Sequence, residues 1–485
     1  MLPNLKKNYL YRLFYEVVIL ISPLITAPYT ARILGADGIG VYSYTHSIVA
    51  YFMLFAALGT SSYGAREIAR NRKDKDLTSK LFWEIELMSF VTTAVCMTGW
   101  IILIAVTDKY SIFYLALTPY LLSTMFDISW FFTGLEMVKR IVIRNTAVRI
   151  ISIICLFTLV RTKDDLIIYF LIRSGTSLLG NLSMWVYLPK MVSKVPFRSL
   201  HFRHHFHETL IYFVPAAATS IYTLLDKTLI GLMTEGTYQN GYYEQATKII
   251  KLMKALVFVA INSVMGARLA FLFAEEKFDE IKRRIRKSFN YIYFLCYGAI
   301  FGILGISKTF VPIFLGKGYD PVVELLWLMA PLVLIIGTSN TLGRQYYNPS
   351  GQRKRSAKII VLGALVNLVL NLFLIPRFEA LGATIASVTA ELLIAVLYIV
   401  KCSGYITWKY LWECTRKRLL AGLCMFLMLL GIERYVSLSP GVMLCIQVVS
   451  GVLCYCLILY VLKDSAIQDV LAFAKKKIHN RRKQS

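Results

Sequence analysis

The sequence predicts an all-α integral membrane protein with about fourteen transmembrane helices. Of its 485 residues, 57% are hydrophobic and only 17% are charged, and the mean hydropathy is +0.59. A soluble chain carries about 25% charged residues. Apolar runs of about 20 residues, long enough to cross a ~30 Å hydrocarbon core, recur along the whole chain. Because no long Gly/Ser/Pro-rich linker separates them, we expect a single membrane body.

Fourteen apolar runs have the length of transmembrane helices. They cover approximately residues 9–30, 39–59, 81–106, 111–133, 145–160, 166–188, 209–233, 242–266, 289–315, 322–344, 359–375, 381–400, 419–435 and 441–462. Lysine and arginine favour cytoplasmic loops. With the N-terminus in the cytoplasm, about 40 of the 54 Lys and Arg residues fall in the tails and the even-numbered loops. A wrong number of spans would destroy this alternation, so both termini are predicted to be cytoplasmic.

The charge and the loops restrict the classes of function. The formal net charge is +26, which in a soluble protein suggests nucleic acid but here fits cytoplasmic loops beside an anionic leaflet. We therefore expect no nucleic-acid partner. The nine cysteines form no C-x-x-C pair, and no nucleophile–base constellation, phosphate-binding Gly loop or metal hydrolase motif is evident. Since the odd-numbered loops are also short, the sequence favours a transporter over a membrane enzyme.

A histidine-rich stretch, HFRHHFH, precedes the predicted seventh span. The local spacing of His201, His204, His205 and His207 is compatible with a metal site. The basic residues around them favour the alternative, a cytoplasmic surface loop without metal. We therefore expect no metal ion there and no bound cofactor elsewhere in the chain.

The sequence contains an internal repeat. GVYSYTHSIV begins at Gly40, and GYYEQATKII begins about 201 residues later at Gly241. A GAR tripeptide follows each copy, at residues 64–66 and 266–268. The copies lie six predicted spans apart, and an even number of spans preserves the direction of the chain. The repeats are therefore predicted to be parallel and related by an axis along the membrane normal.

This repeat predicts the domain organisation. We expect a lobe of six helices in residues 1–200 and a second lobe of six helices in residues 201–402, which together enclose a central cavity. Two further helices and a basic cytoplasmic tail occupy residues 403–485. Duplicated lobes around a cavity suit alternating access, in which the lobes rock about a site near the midplane.

Ionisable side chains inside the predicted spans are candidate site residues, because charges are costly in hydrocarbon and usually face a cavity or a partner. They are Glu16, Asp127, Arg149 and Arg173 in the N-terminal half, and Asp226, Lys227, Lys248, Lys251, Lys254, Arg344 and Glu391 in the C-terminal half. Four of them lie close enough to an interface to extend towards water: Glu16, Asp127, Lys254 and Arg344. For these four, a purely structural role is the alternative.

Three lysines spaced three residues apart form one slanting stripe along the predicted eighth helix. At about 1.5 Å per residue, the middle one, Lys251, lies roughly 13 Å from the start of the span and so near the midplane. The candidate cationic cavity for a phosphate-bearing ligand consists of Arg149, Arg173, Lys227, Lys248, Lys251 and Lys254. The alternative is a set of interhelical salt bridges, with Glu244 and Glu391 as partners.

Polar side chains of the eleventh and twelfth spans form a second candidate site. Asn367 and Asn371 are four residues apart and therefore share a helix face. Such side chains most often hydrogen-bond to a neighbouring helix. The alternative is a site for a coupling cation, Na⁺ or H⁺, with candidate ligands Asp226, Asn367, Asn371, Thr384 and Glu391.

Four longer stretches form an ordered set of motifs. In chain order they are PLITAPYTARILGADGIGVYSYTHSIVAYF (residues 23–52), DISWFFTGLEMVKRIVIRN (127–145), LLDKTLIG (224–231) and VNLVLNLFLIPRFEALGATIASVTAE (366–391). They look like, respectively, the first two helices, the fourth-helix signature, the seventh helix, and the eleventh and twelfth helices of one family. The family is that of the polysaccharide transporters, the flippases of O-antigen and capsule repeat units in bacteria. The similarity extends to about residue 400.

This resemblance has implications for fold and function. The matching motif positions are Arg32, Asp127, Glu136 and Arg144. The family belongs to the multidrug/oligosaccharidyl-lipid/polysaccharide exporter superfamily, which implies a V-shaped fold around a cationic cavity. It also implies a protein of the bacterial cytoplasmic membrane that transports an undecaprenyl-diphosphate-linked oligosaccharide to the outer leaflet, without catalysis. A polysaccharide polymerase and chain-length machinery are the expected protein partners.

Three alternatives remain open at this point. A drug or cation antiporter has the same fold, but we would expect it to present more acidic residues to its cavity. A membrane glycosyltransferase or polymerase would need longer outer loops and a catalytic constellation. A non-transporting partner in an envelope complex is the third alternative, and no sequence feature separates it from a transporter.

Overall fold

A computed structural model describes residues 5–472 of the chain, without the side chains at residues 5–10, 12–13, 197, 215–216, 218–219, 259–268 and 270. The α-helices are α1 (Leu5–Ala57), α2 (Thr60–Asn71), α3 (Lys75–Val106), α4 (Ser111–Met125), α5 (Ser129–Gly134), α6 (Val138–Leu159), α7 (Leu166–Trp185), α8 (Phe202–Met233), α9 (Tyr238–Ala274), α10 (Phe278–Phe314), α11 (Pro321–Met329), α12 (Leu332–Leu342), α13 (Arg353–Val400), α14 (Trp408–Tyr435) and α15 (Pro440–Val461).

Nine helical stretches within residues 5–472 are long and apolar enough to cross a membrane. Two of them, Phe14–Asn71 and Arg353–Val400, are much longer than the ~20 residues that one crossing requires. The predicted class, an all-α multi-pass membrane protein, is therefore confirmed. The number of fourteen crossings stays a prediction, because three of the predicted spans coincide with helices outside these nine: α8, α9 and α14.

The two longest helices, α1 and α13, are each interrupted near the middle. In α1, Gly35 has φ 69° and ψ 178°, a conformation that glycine adopts readily. In α13, Glu379 has φ 50° and ψ −127° and lies just after Pro376. A Cβ on Gly382 would overlap the carbonyl oxygen of Leu374. The chain of α13 therefore folds back at this break, which fits two spans joined by a short turn.

The chain forms two compact units, Met1–Gly241 and Tyr242–Ser485. In the first unit, α4 packs against α7, and α1 packs against α3, α4, α6 and α8. In the second unit, α10 packs against α12, α14 and α15. The predicted lobe boundaries at residues 200 and 402 stay predictions.

The aromatic core of the first unit explains part of the second motif. Trp130 of α5 is 2% exposed and stacks on Phe82 of α3, with ring centroids 5.6 Å apart. A Cβ on Gly64 would overlap the Trp130 ring, and a Cβ on Gly134 would lie 2.7 Å from the carbonyl oxygen of Ala65. Trp130 and the two glycines therefore hold α5 against α2, which is a structural role.

The histidine-rich stretch differs from its prediction as a surface loop. Helix α8 begins at Phe202, seven residues earlier than predicted, and His205 is buried. One ring nitrogen of His205, Nε2, lies 2.9 Å from Oε2 of Glu84, and the other, Nδ1, lies 2.6 Å from the hydroxyl of Tyr63. The loop prediction was wrong because polar spacing alone does not show that one histidine of a basic stretch is enclosed.

The second unit contains a buried ion pair. Arg418 of α14 is 1% exposed, and its Nε donates to Oδ2 of Asp464 over 3.1 Å. A second guanidinium nitrogen of Arg418 donates to the side-chain oxygen of Asn290 of α10. The pair therefore links α10 and α14 to the segment that follows α15, at the level where the sequence predicts the cytoplasmic surface.

Candidate functional site

A polar cavity of about 610 Å³ lies within the first unit, among α1, α4, α6, α7 and α8. Side chains from α1 and α8 contribute apolar and hydroxyl groups to its lining. Its other polar lining residues are Ser123, Thr124, Asp127, Ser129, Arg144, Asn145, Ser177 and Asn181. Such a mixture of hydroxyl, amide and charged groups can bind a ligand that has both anionic and hydroxyl-rich parts.

Arg144 of α6 is held at the cavity by hydrogen bonds. Its Nη1 donates to Oδ1 of Asn181 over 2.5 Å, and Nδ2 of Asn181 donates to the carbonyl oxygen of Ser123 over 2.6 Å. The Nε of Arg144 is buried and has no hydrogen-bond partner among the described residues. Because a guanidinium favours bidentate contact with phosphate or carboxylate oxygens, this free donor makes Arg144 a candidate anion-binding group.

Asp127 supplies the negative charge of the cavity lining. It accepts a hydrogen bond of 3.0 Å from the backbone N–H of Ser129, in the turn between α4 and α5. Its carboxylate interacts electrostatically with Arg144. The cavity thus contains a cation that is partly balanced by an anion, and an incoming anionic ligand would compete with Asp127 for Arg144.

A second polar region, formed by Arg173, Tyr42 and Tyr120, lies near this cavity. The Nε of Arg173 on α7 donates to the hydroxyl of Tyr42 over 3.5 Å, and this hydroxyl lies 3.2 Å from that of Tyr120. Both tyrosines are buried, whereas Arg173 keeps an exposed surface. Ser177 lies about one turn after Arg173 on α7. Because Ser177 also lines the cavity, the two polar regions are neighbours along one helix face.

Arg149 brings a third guanidinium to this part of the first unit. It lies on α6 after Arg144, and its Nη1 donates to the carbonyl oxygen of Ile19 over 3.5 Å. Arg149 and Arg173 repel each other electrostatically. The structure therefore brings the two arginines predicted as cavity residues close to each other and adds Arg144. Their role in binding stays a prediction.

The predicted lysine residues are distributed over both units. Lys227 belongs to the first unit, where its carbonyl oxygen accepts a hydrogen bond of 2.6 Å from Nδ2 of Asn240. In the second unit, Lys248 forms a salt bridge of 3.3 Å with Glu244 on the same helix. Lys251 is exposed, and Lys254 is half-buried and interacts electrostatically with Glu391. For Lys248 the salt bridge that was left open as an alternative is present, within α9 rather than between helices.

Two of the candidate ion-coupling residues, Asn367 and Asn371, form a hydrogen-bonded cluster with Ser387 in the second unit. Nδ2 of Asn371 donates to Oδ1 of Asn367 over 3.1 Å, and Nδ2 of Asn367 lies 3.4 Å from Oγ of Ser387. The hydroxyl of Thr384 donates to the carbonyl oxygen of Ala380 in its own helix. This cluster joins the two halves of α13, which is the structural alternative named above.

Asp226, one of the two acidic ion-coupling candidates, belongs to the first unit. It is 5% exposed and interacts electrostatically with Tyr51, whose hydroxyl accepts a hydrogen bond of 3.3 Å from Thr228.

The remaining family-motif and interface candidates have accessible side chains. Arg32, Glu16 and Arg344 are exposed, and Glu136 pairs with Arg72 over 2.7 Å.

Several residues of this region escaped the sequence analysis. Tyr42, Tyr120 and Asn181 bear no charge, and their proximity to arginines depends on how the helices are rotated. Glu84 and Glu86 lie within the predicted third span and are buried. Charged side chains are costly inside the hydrocarbon core, so the same reasoning that selected the other ionisable residues could have identified these two as candidate site residues. Among the described residues, no group of three or more His, Cys, Asp or Glu side chains is arranged to hold a metal ion.

Comparisons with known proteins agree with this architecture. An Escherichia coli (strain K12) protein assigned as an O-antigen transporter is 24% identical over 405 residues, which cover 82% of this chain and 96% of that protein. The solved structure of the lipid II flippase MurJ in an inward closed conformation superposes with a TM-score of 0.76 at 15% identity, over 95% of this chain and 99% of that one. An inward-facing multidrug resistance MATE transporter of the MOP superfamily gives 0.59 at 10% identity, over 87% and 99%.

The two solved structures establish the fold, which is the exporter fold predicted from the sequence. The relatives named above are transporters rather than enzymes, which agrees with the prediction that the chain is not an enzyme. Residues 5–265, more than half of the chain, match the family described as "Polysaccharide biosynthesis protein". The chain therefore belongs to the polysaccharide biosynthesis protein family, whose members include the polysaccharide transporters that the sequence motifs resemble.

Proposed function

We propose that this protein is a flippase that moves an undecaprenyl-diphosphate-linked oligosaccharide from the inner to the outer leaflet of the bacterial cytoplasmic membrane. The observation that carries the proposal is a cavity inside a membrane-spanning unit that Arg144 lines, with Arg149 and Arg173 on the same two helices, α6 and α7, that contribute to its lining. Family membership and the relative assigned as an O-antigen transporter support the substrate class.

The chemistry of the cavity fits the parts of such a substrate. A diphosphate carries several negative oxygens, and the guanidinium fork binds them in bidentate fashion. Hydroxyl and amide groups such as those of Ser177 and Asn181 can hydrogen-bond to sugar hydroxyls. The isoprenoid tail needs no polar path and stays in the bilayer. Because Asp127 competes for Arg144, the cavity also avoids binding the diphosphate too tightly for release.

The transport cycle follows from the same proposal. We expect alternating access, with both termini in the cytoplasm and the cavity opening first to the cytoplasmic side. Coupling to Na⁺ or H⁺ provides the driving force, and the polar cluster of Asn367 and Asn371 is a candidate cation site. A polysaccharide polymerase and chain-length machinery would receive the product at the outer leaflet.

A gene deletion in the native host tests the proposal. Completed oligosaccharides linked to undecaprenyl diphosphate should accumulate at the inner leaflet, while the surface glycan is lost. Expression of the wild-type gene should restore the glycan, and expression of the Arg173→Ala variant should not. Oligosaccharides that reach the outer leaflet but stay unpolymerised would indicate a polymerase. Intact surface glycan together with new drug sensitivity would indicate an antiporter.

A further inference from the structure

Glu86 of α3 is a buried acid to which the proposed function gives no role. Its side chain is 1% exposed, and neither carboxyl oxygen has a hydrogen-bond partner among the described residues. Glu84, two residues earlier and 5% exposed, provides a contrast. It is bound by Nε2 of His205 over 2.9 Å and by the backbone N–H of His201 over 2.8 Å. The two buried acids of one helix therefore differ in their surroundings: the carboxylate of Glu84 accepts hydrogen bonds, whereas that of Glu86 accepts none from the described residues.

Burial without a partner determines the protonation state of such a group. Moving an isolated carboxylate out of water costs far more than moving the neutral acid, so the group binds a proton instead. Acids of this kind in transmembrane segments mark ion or proton pathways. Glu86 thus holds a proton while its surroundings are closed, and it can release this proton when water reaches it.

The charged group that acts on Glu86 is Asp127. On the helices packed against α3, Arg66 of α2 donates to the hydroxyl of Tyr212, Glu67 pairs with Arg70, and His205 of α8 binds Glu84. Helix α8 also carries Arg203, Glu208, Asp226 and Lys227, and α1 carries Arg32 and Asp37. Helix α4 contains no charged residue, and after Asp37 the rest of α1 adds only a histidine and tyrosines to the titratable groups.

Asp127 also connects Glu86 to the ligand cavity, because it lines the cavity beside Arg144. Two carboxylates that interact cannot both be ionised without a cost in free energy, which favours one proton on the pair. When an anionic group occupies Arg144, the charge of Asp127 is no longer balanced. The proton on Glu86 is then held more tightly, so ligand binding and proton binding support each other.

From this arrangement we infer that Glu86 is a proton-binding site whose occupancy is linked to that of the anionic ligand through Asp127 and Arg144. The inference rests on the proposed function and deepens it, since it makes binding of the diphosphate dependent on a proton and names the residue that holds this proton. No bond other than the O–H bond of the carboxyl group forms or breaks, and water supplies and accepts the proton.

Ligand binding as a function of pH tests the inference. The purified full-length protein in detergent is titrated with undecaprenyl diphosphate at several pH values, and proton uptake is followed with an indicator dye in weak buffer. At pH values where Glu86 is ionised in the unliganded protein, the wild type should lose affinity as the pH rises, by up to tenfold per pH unit for one linked proton, and should take up a proton on binding. The Glu86→Gln variant, which resembles the protonated acid, should bind with little pH dependence and without proton uptake.

The Glu84→Gln variant is the matched control, because it removes a buried acid from the same helix without removing Glu86. Measured on the folded protein, this variant should keep the proton uptake and the pH dependence of the wild type, even if its Tm is lower. A Glu86→Gln variant with the pH profile and proton uptake of the wild type would overturn the inference. If the wild type binds no diphosphate lipid at any pH, the proposed function and the linkage fail together.

Thermal unfolding distinguishes these two failures, because it requires no ligand. A proton that Glu86 binds only in the folded state is released on unfolding at neutral pH, so a rising pH favours the unfolded wild type. The Tm of Glu86→Gln should therefore exceed that of the wild type by a margin that grows with pH. If this margin is constant across the pH range, Glu86 does not hold a proton, and the inference falls even if the protein is a flippase.

Discussion

Gly40 and Gly241 lie against each other. Each glycine contacts the backbone carbonyl of the residue four positions before the other glycine. A Cβ on Gly40 would overlap the carbonyl oxygen of Thr237, and a Cβ on Gly241 would overlap the carbonyl oxygen of Ala36. Ala36 precedes Gly40 by four residues, as Thr237 precedes Gly241, so the contact is reciprocal. These glycines also begin the two copies of the internal repeat. The local two-fold relation between them is what a parallel repeat predicts.

Replacement of either glycine by alanine should destabilise this crossing. Small residues four apart allow two helix backbones to approach closely, and an added methyl group in a closely packed contact typically costs about 1–3 kcal/mol. We therefore expect Gly40→Ala and Gly241→Ala each to lower the Tm of the purified protein by several degrees. Because both changes disrupt one contact, the double variant should lose less than the sum of the two.

Gly302→Ala is the control for this experiment. Gly302 lies within α10, and a Cβ there would meet no atom within 4 Å. Alanine is the better helix former by roughly 0.5–1 kcal/mol, so this variant should be as stable as the wild type or more stable. If Gly40→Ala were equally harmless, the close approach would not contribute to stability.

The pair of Glu84 and His205 should be important for the stability of the first unit. Removal of one partner of a buried hydrogen bond leaves the other group without that partner, which typically costs about 1–3 kcal/mol and more where that group is charged. His205→Ala should therefore lower the Tm strongly. His204→Ala, at the exposed neighbouring position, should leave the Tm unchanged. Equal effects of the two variants would show that burial of His205 is unimportant.

Arg144 should require the guanidinium and not only a positive charge. Its Nη1 donates to Asn181, and its buried Nε has no hydrogen-bond partner among the described residues, whereas a lysine cannot supply both donors in this fixed geometry. A hydrogen bond to a charged group contributes about 1.5–3 kcal/mol, so Arg144→Lys should weaken binding of undecaprenyl diphosphate by roughly 10- to 100-fold. Lys139→Ala, at an exposed position of α6, should bind as the wild type does. Wild-type affinity in Arg144→Lys would remove Arg144 from the site.

Asp226 tests the alternative assignment of the coupling ion. If Asp226 contributes to a cation site, Asp226→Asn should weaken the dependence of transport on Na⁺ while substrate binding in the absence of Na⁺ is kept. Transport in vesicles with and without a Na⁺ gradient measures this. An unchanged response to Na⁺ would exclude Asp226 as a ligand of a coupling cation.

Features that depend on local sequence were predictable, and contacts between helices were not. Apolar run length gave the membrane class, and the repeat gave the expectation of two parallel copies, but not the contact between their leading glycines, Gly40 and Gly241. The hydrogen bond between Arg144 and Asn181 joins residues 37 positions apart, and nothing in either segment indicates which helix faces the other. The enclosure of His205 likewise depends on Glu84, which lies 121 positions earlier.

Under the proposed function, the arginines of the first unit bind the diphosphate while the protein moves the linked oligosaccharide across the membrane. The direct measurement reconstitutes the purified protein in liposomes that contain a labelled undecaprenyl-diphosphate oligosaccharide and follows its appearance in the opposite leaflet. We predict that the wild type accelerates translocation and that Arg173→Ala, inserted at the same level, does not. Equal translocation by the wild type, by Arg173→Ala and by empty liposomes would contradict the flippase assignment, and full activity of Arg173→Ala would contradict the role of the arginines.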